Sequence, residues 1–214
     1  MSNASVVPSS KTICLAISGA SGFPYAQRLL QCLLQSGCQV HLLISDAARE
    51  VARLEMDMLL PESAPALGDY FIKSLAVDMQ ASGAALYCYE SKDWLSPVAS
   101  GSAAIDAMVV CPCSTGTLAA IATGQSNNLI ERAATVMLKE SRRLVIVPRE
   151  TPVSVIQLEH MLKLSQIGVR MVPASPGFYQ KPQSIADLID FMVARILQQL
   201  DMPHNLFPQW GMDK

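Results

Sequence analysis

Apolar residues along this chain occur in short continuous runs, each followed by a small polar loop and then by a stretch with helical spacing of leucine or alanine. Short continuous apolar runs are typical of strands buried in a parallel sheet. The runs that predict strands are 12–17, 39–44, 86–89, 107–111, 143–148 and 168–173. Because strands and helices alternate, we predict an α/β fold, a single-domain doubly wound (Rossmann-like), mostly parallel sheet with helices on both faces.

Capping signals predict where several helices begin. Ser45 follows the second strand and is expected to cap the next helix. Ser184 and Asp187 have the spacing of a capping box at the start of the last long helix. Thr151 is predicted to cap an earlier helix, with Pro152 at its first helical position.

Polar and small residues collect directly after the predicted strands. The first such loop, 18–22 (SGASG), precedes a helix and suits a phosphate group, because backbone N–H groups and the helix dipole face it. It matches neither the dinucleotide nor the Walker fingerprint, and a turn made for packing is the alternative. Ligands bind at the carboxyl ends of parallel strands, so these clusters predict one site. The clusters are 18–22, Ser45, 114–117, 149–150 and 175–179.

Composition and charge narrow the classes of function. Half of the 214 residues are hydrophobic and 16% are charged, which favours additional burial in subunit contacts. A net charge of −2 argues against a general nucleic-acid surface. No apolar run approaches the roughly 18 residues of a membrane span, and no signal-peptide pattern is visible, so we expect a cytoplasmic protein. We predict a disordered or tag-derived segment (1–10), a single α/β domain (11–201) and a C-terminal arm (202–214).

Cysteine and histidine positions indicate no metal chemistry. The six cysteines lack the spacing of a disulfide framework, and reduced, buried thiols are expected. The tripeptide 111–113 (CPC) is not a redox motif, and a metal site would need a second cluster of ligands. His41 lies within a strand and is predicted to be packed rather than catalytic. A phosphate must therefore be held by Arg, Lys, hydroxyl and backbone N–H groups, without metal.

At the level of whole motifs, the chain resembles the flavin prenyltransferases of the UbiX type from about residue 13 to residue 211. The motifs together are specific, because they include CPCSTGTL, NNLIER, VPRE and PGFY. The matching segments are 18–22, 43–45 with Glu55, 93–94 with 99–101, 111–118, 127–132, 138–140, 147–150, 176–179 and 193–195.

The resemblance implies a metal-independent transferase that adds a dimethylallyl group from dimethylallyl monophosphate to reduced FMN. The group would bond to flavin N5 and then close onto C6. The product, prenylated FMN, would serve a UbiD-type decarboxylase, as in ubiquinone biosynthesis. A homododecamer built from trimers is also implied, with FMN at the subunit interfaces, no membrane span and no nucleic acid.

The resemblance also implies the roles of individual residues. Glu150 and Glu55 would line the reacting centre, with Ser21 at the edge of the flavin where prenylation occurs. The residues implied for FMN are Gly19, Ala20, Ser21, Ser45, Ser114, Thr115, Gly116, Thr117 and Arg149. Those implied for dimethylallyl phosphate are Arg132, Lys139, Tyr179 and Arg195, with the aromatic faces of Trp94 and Trp210. On this reading the flavin phosphate belongs to 114–117 rather than to 18–22.

Two other functions are compatible with the same fold. An FMN-dependent cysteine decarboxylase would use a histidine base and a Pro-x-Met-Asn motif, but this chain has only His41, His160 and His204 and lacks the motif. A non-catalytic flavin-binding subunit would have lost some of the implied reactive residues. Lys139, Glu150, Tyr179 and Arg195 are all present, which favours the prenyltransferase.

Overall fold

The structure is a computed structural model that describes residues 11–207. Six strands form one parallel sheet in the order β3-β2-β1-β4-β5-β6. The strands are β1 (Thr12–Ile17), β2 (Gln39–Ile44), β3 (Ala85–Tyr89), β4 (Ala107–Cys113), β5 (Arg143–Pro148) and β6 (Arg170–Met171). The strand order reverses between β1 and β4, which is where a doubly wound sheet opens a crevice for a ligand.

Helices cover both faces of this sheet. They are α1 (Phe23–Gln35), α2 (Asp46–Met56), α3 (Ala64–Ser74), α4 (Met79–Ser82), α5 (Thr115–Thr123), α6 (Leu129–Lys139), α7 (Val155–Gln166) and α8 (Ile185–Gln199), with a 3-10 turn at Pro97–Ala99. Leu29 of α1, Phe71 of α3 and Val193 of α8 are buried against one face. Ile121 of α5 and Met137 of α6 are buried against the other face. The predicted doubly wound α/β domain is confirmed.

Local sequence signals located most element boundaries. Strands β2 and β5 have the predicted bounds. Ser45 caps α2, because its Oγ accepts the Ala48 N–H at 3.1 Å. The predicted capping box at α8 is present, since Ser184 Oγ accepts the Asp187 N–H and the Asp187 carboxylate accepts the Ser184 N–H. Both caps involve residues no more than three positions apart, so the sequence itself specifies them.

Several boundaries differ from the prediction, because β3 begins at Ala85 and β4 runs on to Cys113. Two further differences change an element substantially. The predicted cap at Thr151 is wrong, because α7 begins at Val155 behind a capping box made by Ser154 and Gln157. In this box Gln157 Oε1 accepts the Ser154 N–H at 2.6 Å, and Ser154 Oγ accepts the Gln157 N–H. The Thr151 hydroxyl instead donates to the Glu150 carbonyl and caps no helix N–H group within residues 11–207. The strand predicted over 168–173 shortens to Arg170–Met171, because β6 is an edge strand that pairs only with β5.

The predicted packing of His41 is confirmed. His41 is 7% exposed, its ring stacks against Tyr87 and Tyr89, and its Nδ1 lies 2.8 Å from the Tyr89 hydroxyl. Burial lowers the pKa of His41. All six cysteines are free thiols, of which Cys88 alone is half-buried and the others are buried. Within residues 11–207 no helix is long and apolar enough to cross a membrane.

Candidate active site at the carboxyl edge of the sheet

Ser18 joins the loops that follow the two central strands. Its buried Oγ donates to the Pro112 carbonyl at 3.0 Å and accepts the Ser114 N–H at 2.7 Å. These bonds hold the loop after β1 against the loop after β4, across the point where the strand order reverses. The two small-residue loops found in the sequence therefore form one wall.

The second strand brings Ser45 to the same wall. A side chain at Gly19 would place its Cβ 2.4 Å from the Ala47 Cβ, so only glycine allows the start of α2 to pack this closely on the first loop. Ser45 is the residue before α2. The structure thus brings together the predicted flavin residues of 18–22 and Ser45.

The start of α5 is open. Ser114 Oγ accepts the Thr117 N–H at 3.2 Å and donates to Thr117 Oγ1 at 3.0 Å. The N–H groups of Thr115 and Gly116 have no acceptor among the residues that the structure describes. A Cβ placed on Gly116 would meet nothing within 4 Å. Free N–H groups, hydroxyls and space at a helix N-terminus form a site for an anion such as phosphate.

The start of α1, by contrast, is closed by a carboxylate. Glu55, at the end of α2, accepts the Gly22 N–H at 3.0 and 3.1 Å and the Phe23 N–H at 2.9 Å. Gly22 has no side chain that could cap α1, and Glu55 supplies that cap from 33 residues away. Sequence reasoning missed this contact, because nothing in the local pattern links these residues. The start of α1 therefore leaves fewer backbone donors for an anion than the start of α5.

Arg149 and Glu150 follow β5 and are exposed at the same edge. The Arg149 N–H donates to the Cys113 carbonyl at 3.2 Å, which ties the end of β5 to the end of β4. Glu150 Oε1 accepts the Thr151 N–H at 3.1 Å. Tyr25, which the sequence did not single out, belongs to this neighbourhood: burial raises its pKa, and the positive charge of Arg149 opposes that rise.

Two predicted cations border the loop after the 3-10 turn. Arg132 Nε donates to the Ala99 carbonyl at 3.0 Å. Lys139 pairs with the Glu140 carboxylate, and hydrogen bonding by that ammonium lowers the pKa of Glu140. A Cβ on Gly101 would lie 2.7 Å from Lys139 Nζ, so the loop backbone touches the pair. Both cations belong to α6, on the face of the sheet that carries α5.

Tyr179 and Arg195 lie on the other face. The Tyr179 ring packs edge-on against Phe191 of α8, with ring centroids 5.5 Å apart. Arg195, also on α8, donates to Gln198 Oε1 at 2.5 Å. Because α8 packs with α1 and α6 packs with α5, one chain does not bring Tyr179 and Arg195 together with Arg132 and Lys139.

A cavity of about 240 Å³ opens beside Ser45 at the ends of β2 and β3. Its lining includes Leu43, Ser45, Tyr89, Lys92, Asn128 and Ile130. Trp94 follows on the loop after β3 and is 45% exposed. Trp210, the other predicted aromatic, lies outside the described residues. No group of histidine, cysteine and carboxylate side chains suited to a metal ion occurs in residues 11–207.

Comparison with known proteins gives a consistent result. The Flavoprotein family model matches residues 1–197. The flavin prenyltransferase UbiX of Pseudomonas aeruginosa is 52% identical over 199 residues, covering 93% of each chain. The protein of the same name from Methanocaldococcus jannaschii is 44% identical and covers 93% of this chain and 98% of its own.

Solved structures agree with these relatives. AnUbiX in complex with FMN and dimethylallyl pyrophosphate superimposes with a TM-score of 0.82 at 37% identity, covering 96% of this chain and all of the other. A dodecameric FMN-dependent UbiX-like decarboxylase from Escherichia coli gives 0.79 at 38% identity, covering 93% and 98%. The FMN-dependent cysteine decarboxylase TvaF gives 0.56 at 14% identity, a likeness of fold alone, with 89% and 98% covered.

Proposed function

The chain belongs to the UbiX family of flavin prenyltransferases, and we propose that it transfers a dimethylallyl group from dimethylallyl monophosphate to N5 and C6 of reduced FMN. The observation that supports this most directly is the open N-terminus of α5 within a wall built by Ser18, Gly19 and Ser45. This wall has the donors that a flavin phosphate requires and an adjoining cavity for a planar ring.

Different residues of the wall contact different parts of FMN. Ser114, Thr115, Gly116 and Thr117 hold the 5′-phosphate with hydroxyl and N–H donors, and Arg149 adds a positive charge. Gly19, Ala20, Ser21 and Ser45 border the ring system. Reduced FMN supplies the nucleophilic atoms N5 and C6. No metal is required, because the chain's own donors neutralise the phosphate.

Four side chains hold the donor phosphate and stabilise it as it leaves: Arg132, Lys139, Tyr179 and Arg195. Cations and a phenol stabilise a departing phosphate by electrostatics, with no covalent step. Because one chain keeps these residues on opposite faces of its sheet, they meet between subunits. A homododecamer built from trimers satisfies this requirement, and the Escherichia coli neighbour is dodecameric.

The carboxylates have different tasks. Glu150 is exposed, and within residues 11–207 its carboxylate accepts a hydrogen bond from the Thr151 N–H. Glu150 is assigned the relay of a proton during ring closure. Glu55 stands at the edge of the reacting centre and holds the loop that carries Ser21. The face of Trp94 stabilises the positive charge that develops on the allyl fragment, an effect of roughly 0.5–2 kcal/mol. Trp210 is assigned the same task.

The product has a defined use in this proposal. Prenylated FMN passes to a UbiD-type decarboxylase, as in ubiquinone biosynthesis. The reaction takes place in the cytoplasm, where six unpaired thiols are maintained. The likeness to cysteine decarboxylases is one of fold, since TvaF is 14% identical to this chain.

The decisive experiment incubates the protein with FMN, dithionite and dimethylallyl monophosphate. Mass spectrometry is expected to find a flavin heavier by one prenyl unit, and recovery of unmodified FMN alone would refute the proposal. Glu150→Gln should bind FMN normally and form product at least about tenfold more slowly, because a positioned acid–base group contributes 10²–10⁴-fold. Glu159→Gln, an exposed carboxylate on α7, is the matched control and should retain full activity.

A further inference from the structure

The segment 202–207, here called the C-terminal support, contacts the two donor-binding side chains of the α8 face through one intermediate residue each. We propose that this support holds Arg195 and Tyr179 in place for the donor phosphate, with His204 and Phe207 as its positioning residues. The inference rests on the proposed function and deepens it, because it names residues of the same site that touch neither substrate.

The path to Arg195 passes through Gln198. Arg195 Nη1 donates to Gln198 Oε1 at 2.5 Å, and Gln198 Nε2 lies 3.1 Å from His204 Nε2. A guanidinium has donors only, so the amide oxygen must face Arg195 and the amide nitrogen must face His204. That nitrogen also donates, so His204 Nε2 accepts with its lone pair. The orientation of the whole chain of contacts is thereby fixed.

The same argument fixes the state of His204. With Nε2 as an acceptor, the ring is neutral and its proton is on Nδ1. His204 Nδ1 is buried without a partner within residues 11–207, and burial lowers the pKa of the ring. The neutral ring is therefore the form present at pH 7. Two titratable or charged groups lie near the His204 ring. Arg195 is connected to it through Gln198, and Cys32 lines the same cavity.

The path to Tyr179 is aromatic. Phe207 stacks on Phe191 with centroids 5.5 Å apart and planes inclined by 15°, and Phe191 meets Tyr179 edge-on at 5.5 Å. His204 lies against Phe207 at 5.4 Å, so the two paths join in the support. A Cβ on Gly177 would lie 2.9 Å from the Tyr179 ring and 3.0 Å from Phe191, so the loop fits tightly over these rings.

The support matters for binding because both of its targets are exposed side chains. Tyr179 is 50% exposed and Arg195 is exposed. A long exposed side chain loses rotamer freedom when it binds a ligand, and this loss weakens binding. Contacts that order Arg195 and Tyr179 beforehand reduce that loss. The consequence is an effect on affinity for the donor rather than on the chemical step.

The test compares His204→Leu with His204→Gln. Leucine removes the acceptor, whereas the glutamine carbonyl can accept from Gln198 in its place. His204→Leu is expected to raise the Kd of dimethylallyl monophosphate for the FMN complex, measured by calorimetry, and the KM of the donor by about fivefold, the effect of one hydrogen bond. The kcat should stay within about twofold, the Kd of FMN should not change, and His204→Gln should restore wild-type values.

A coupling experiment separates positioning from a general loss of folding. In an Arg195→Ala background, His204→Leu should change donor affinity no further, because its target is gone. Phe207→Ala should likewise weaken donor binding in the wild type and have no added effect beside Tyr179→Ala. Additive effects, or a loss of FMN binding and kcat in His204→Leu, would overturn the inference. Failure of the proposed function would instead appear in the wild-type protein. A wild type that binds the donor without turnover would overturn the proposed function alone. A wild type that does not bind the donor would overturn both the proposed function and this inference.

Discussion

Helices α1 and α5 begin in the same way along the chain, each directly after a central strand and a loop of small residues. Their first turns differ in which groups accept hydrogen bonds from the backbone N–H groups. At α1 the Glu55 carboxylate accepts the N–H groups of Gly22 and Phe23. At α5 Ser114 accepts one N–H, while those of Thr115 and Gly116 remain available. A helix N-terminus is a ligand site only where the protein leaves its donors unused.

Charge makes this difference larger. A helix N-terminus carries roughly half a positive charge, which Glu55 already neutralises at α1. A phosphate brought to α1 would meet a carboxylate, whereas at α5 it would meet the hydroxyls of Ser114 and Thr117. Under the proposed function, the same strand, loop and helix unit is used once for structure and once for binding. The following predictions test that division, beginning with the largest expected effect.

The strongest test closes α5 as α1 is closed. Gly116→Asp places a carboxylate in the open space before the helix, where a Cβ meets nothing within 4 Å. Repulsion and competition for the N–H groups should raise the Kd of FMN at least about 100-fold, as expected from losing charge-assisted bonds to phosphate. Fluorescence titration of FMN measures this change.

Gly116→Asn is the matched control, since it adds nearly the same atoms without the charge. It should weaken FMN binding by less than about tenfold, and both variants should keep the thermal stability of the wild type. Equal losses in the two variants would mean that bulk, not charge, closes the site.

The converse test opens α1. Glu55→Gln keeps one amide oxygen as an acceptor but removes the charge at Gly22. The free energy of unfolding in denaturant should fall by about 0.5–1 kcal/mol, as for the loss of a charged cap. The Kd of FMN should change by no more than about threefold, because the proposed function assigns the phosphate to α5.

Glu50→Gln on the same helix is the control. Glu50 pairs with Arg53 at an exposed position, and its loss should cost well under about 0.5 kcal/mol. If Glu55→Gln abolished FMN binding as strongly as Gly116→Asp, the phosphate would belong to α1 and the comparison would be reversed.

The smallest effect concerns α8, a third helix, whose own residue Asp187 accepts backbone N–H groups at its start. Hydrogen bonds from the Gln183 N–H and from Ser184 lower the pKa of Asp187. A carboxyl group with a lowered pKa stabilises the fold above its unfolded value, about 3.9, and loses that contribution as the pH falls through the lower folded value. The Tm of Asp187→Asn should therefore lie slightly below the wild type at pH 5, and the gap should narrow toward pH 3. A gap that is independent of pH would remove the charge from the explanation.

The amino-acid sequence by itself determined the features that depend on neighbouring residues. The bounds of β2 and β5 follow from continuous apolar runs, and the caps of Ser45 and Ser184 from donors and acceptors three residues apart. Thr151 shows the limit of such reasoning. The helix is capped instead at Ser154, where a capping box with Gln157 pairs the N–H groups of both residues. The clustering of polar residues after strands was also readable, since all strands of a parallel sheet end at one edge.

Tertiary structure decided which of those strand-end residues remain available to a ligand. Glu55 reaches Gly22 across 33 residues only because α2 packs beside α1. This contact occupies the first N–H groups of α1, whereas α5 has no such carboxylate within residues 11–207. The separation of Lys139 from Arg195 likewise depends on which face of the sheet each helix buries. Such contacts arise from the packing of whole elements, and the packing is set by all the buried surfaces together. No local pattern of residues encodes it.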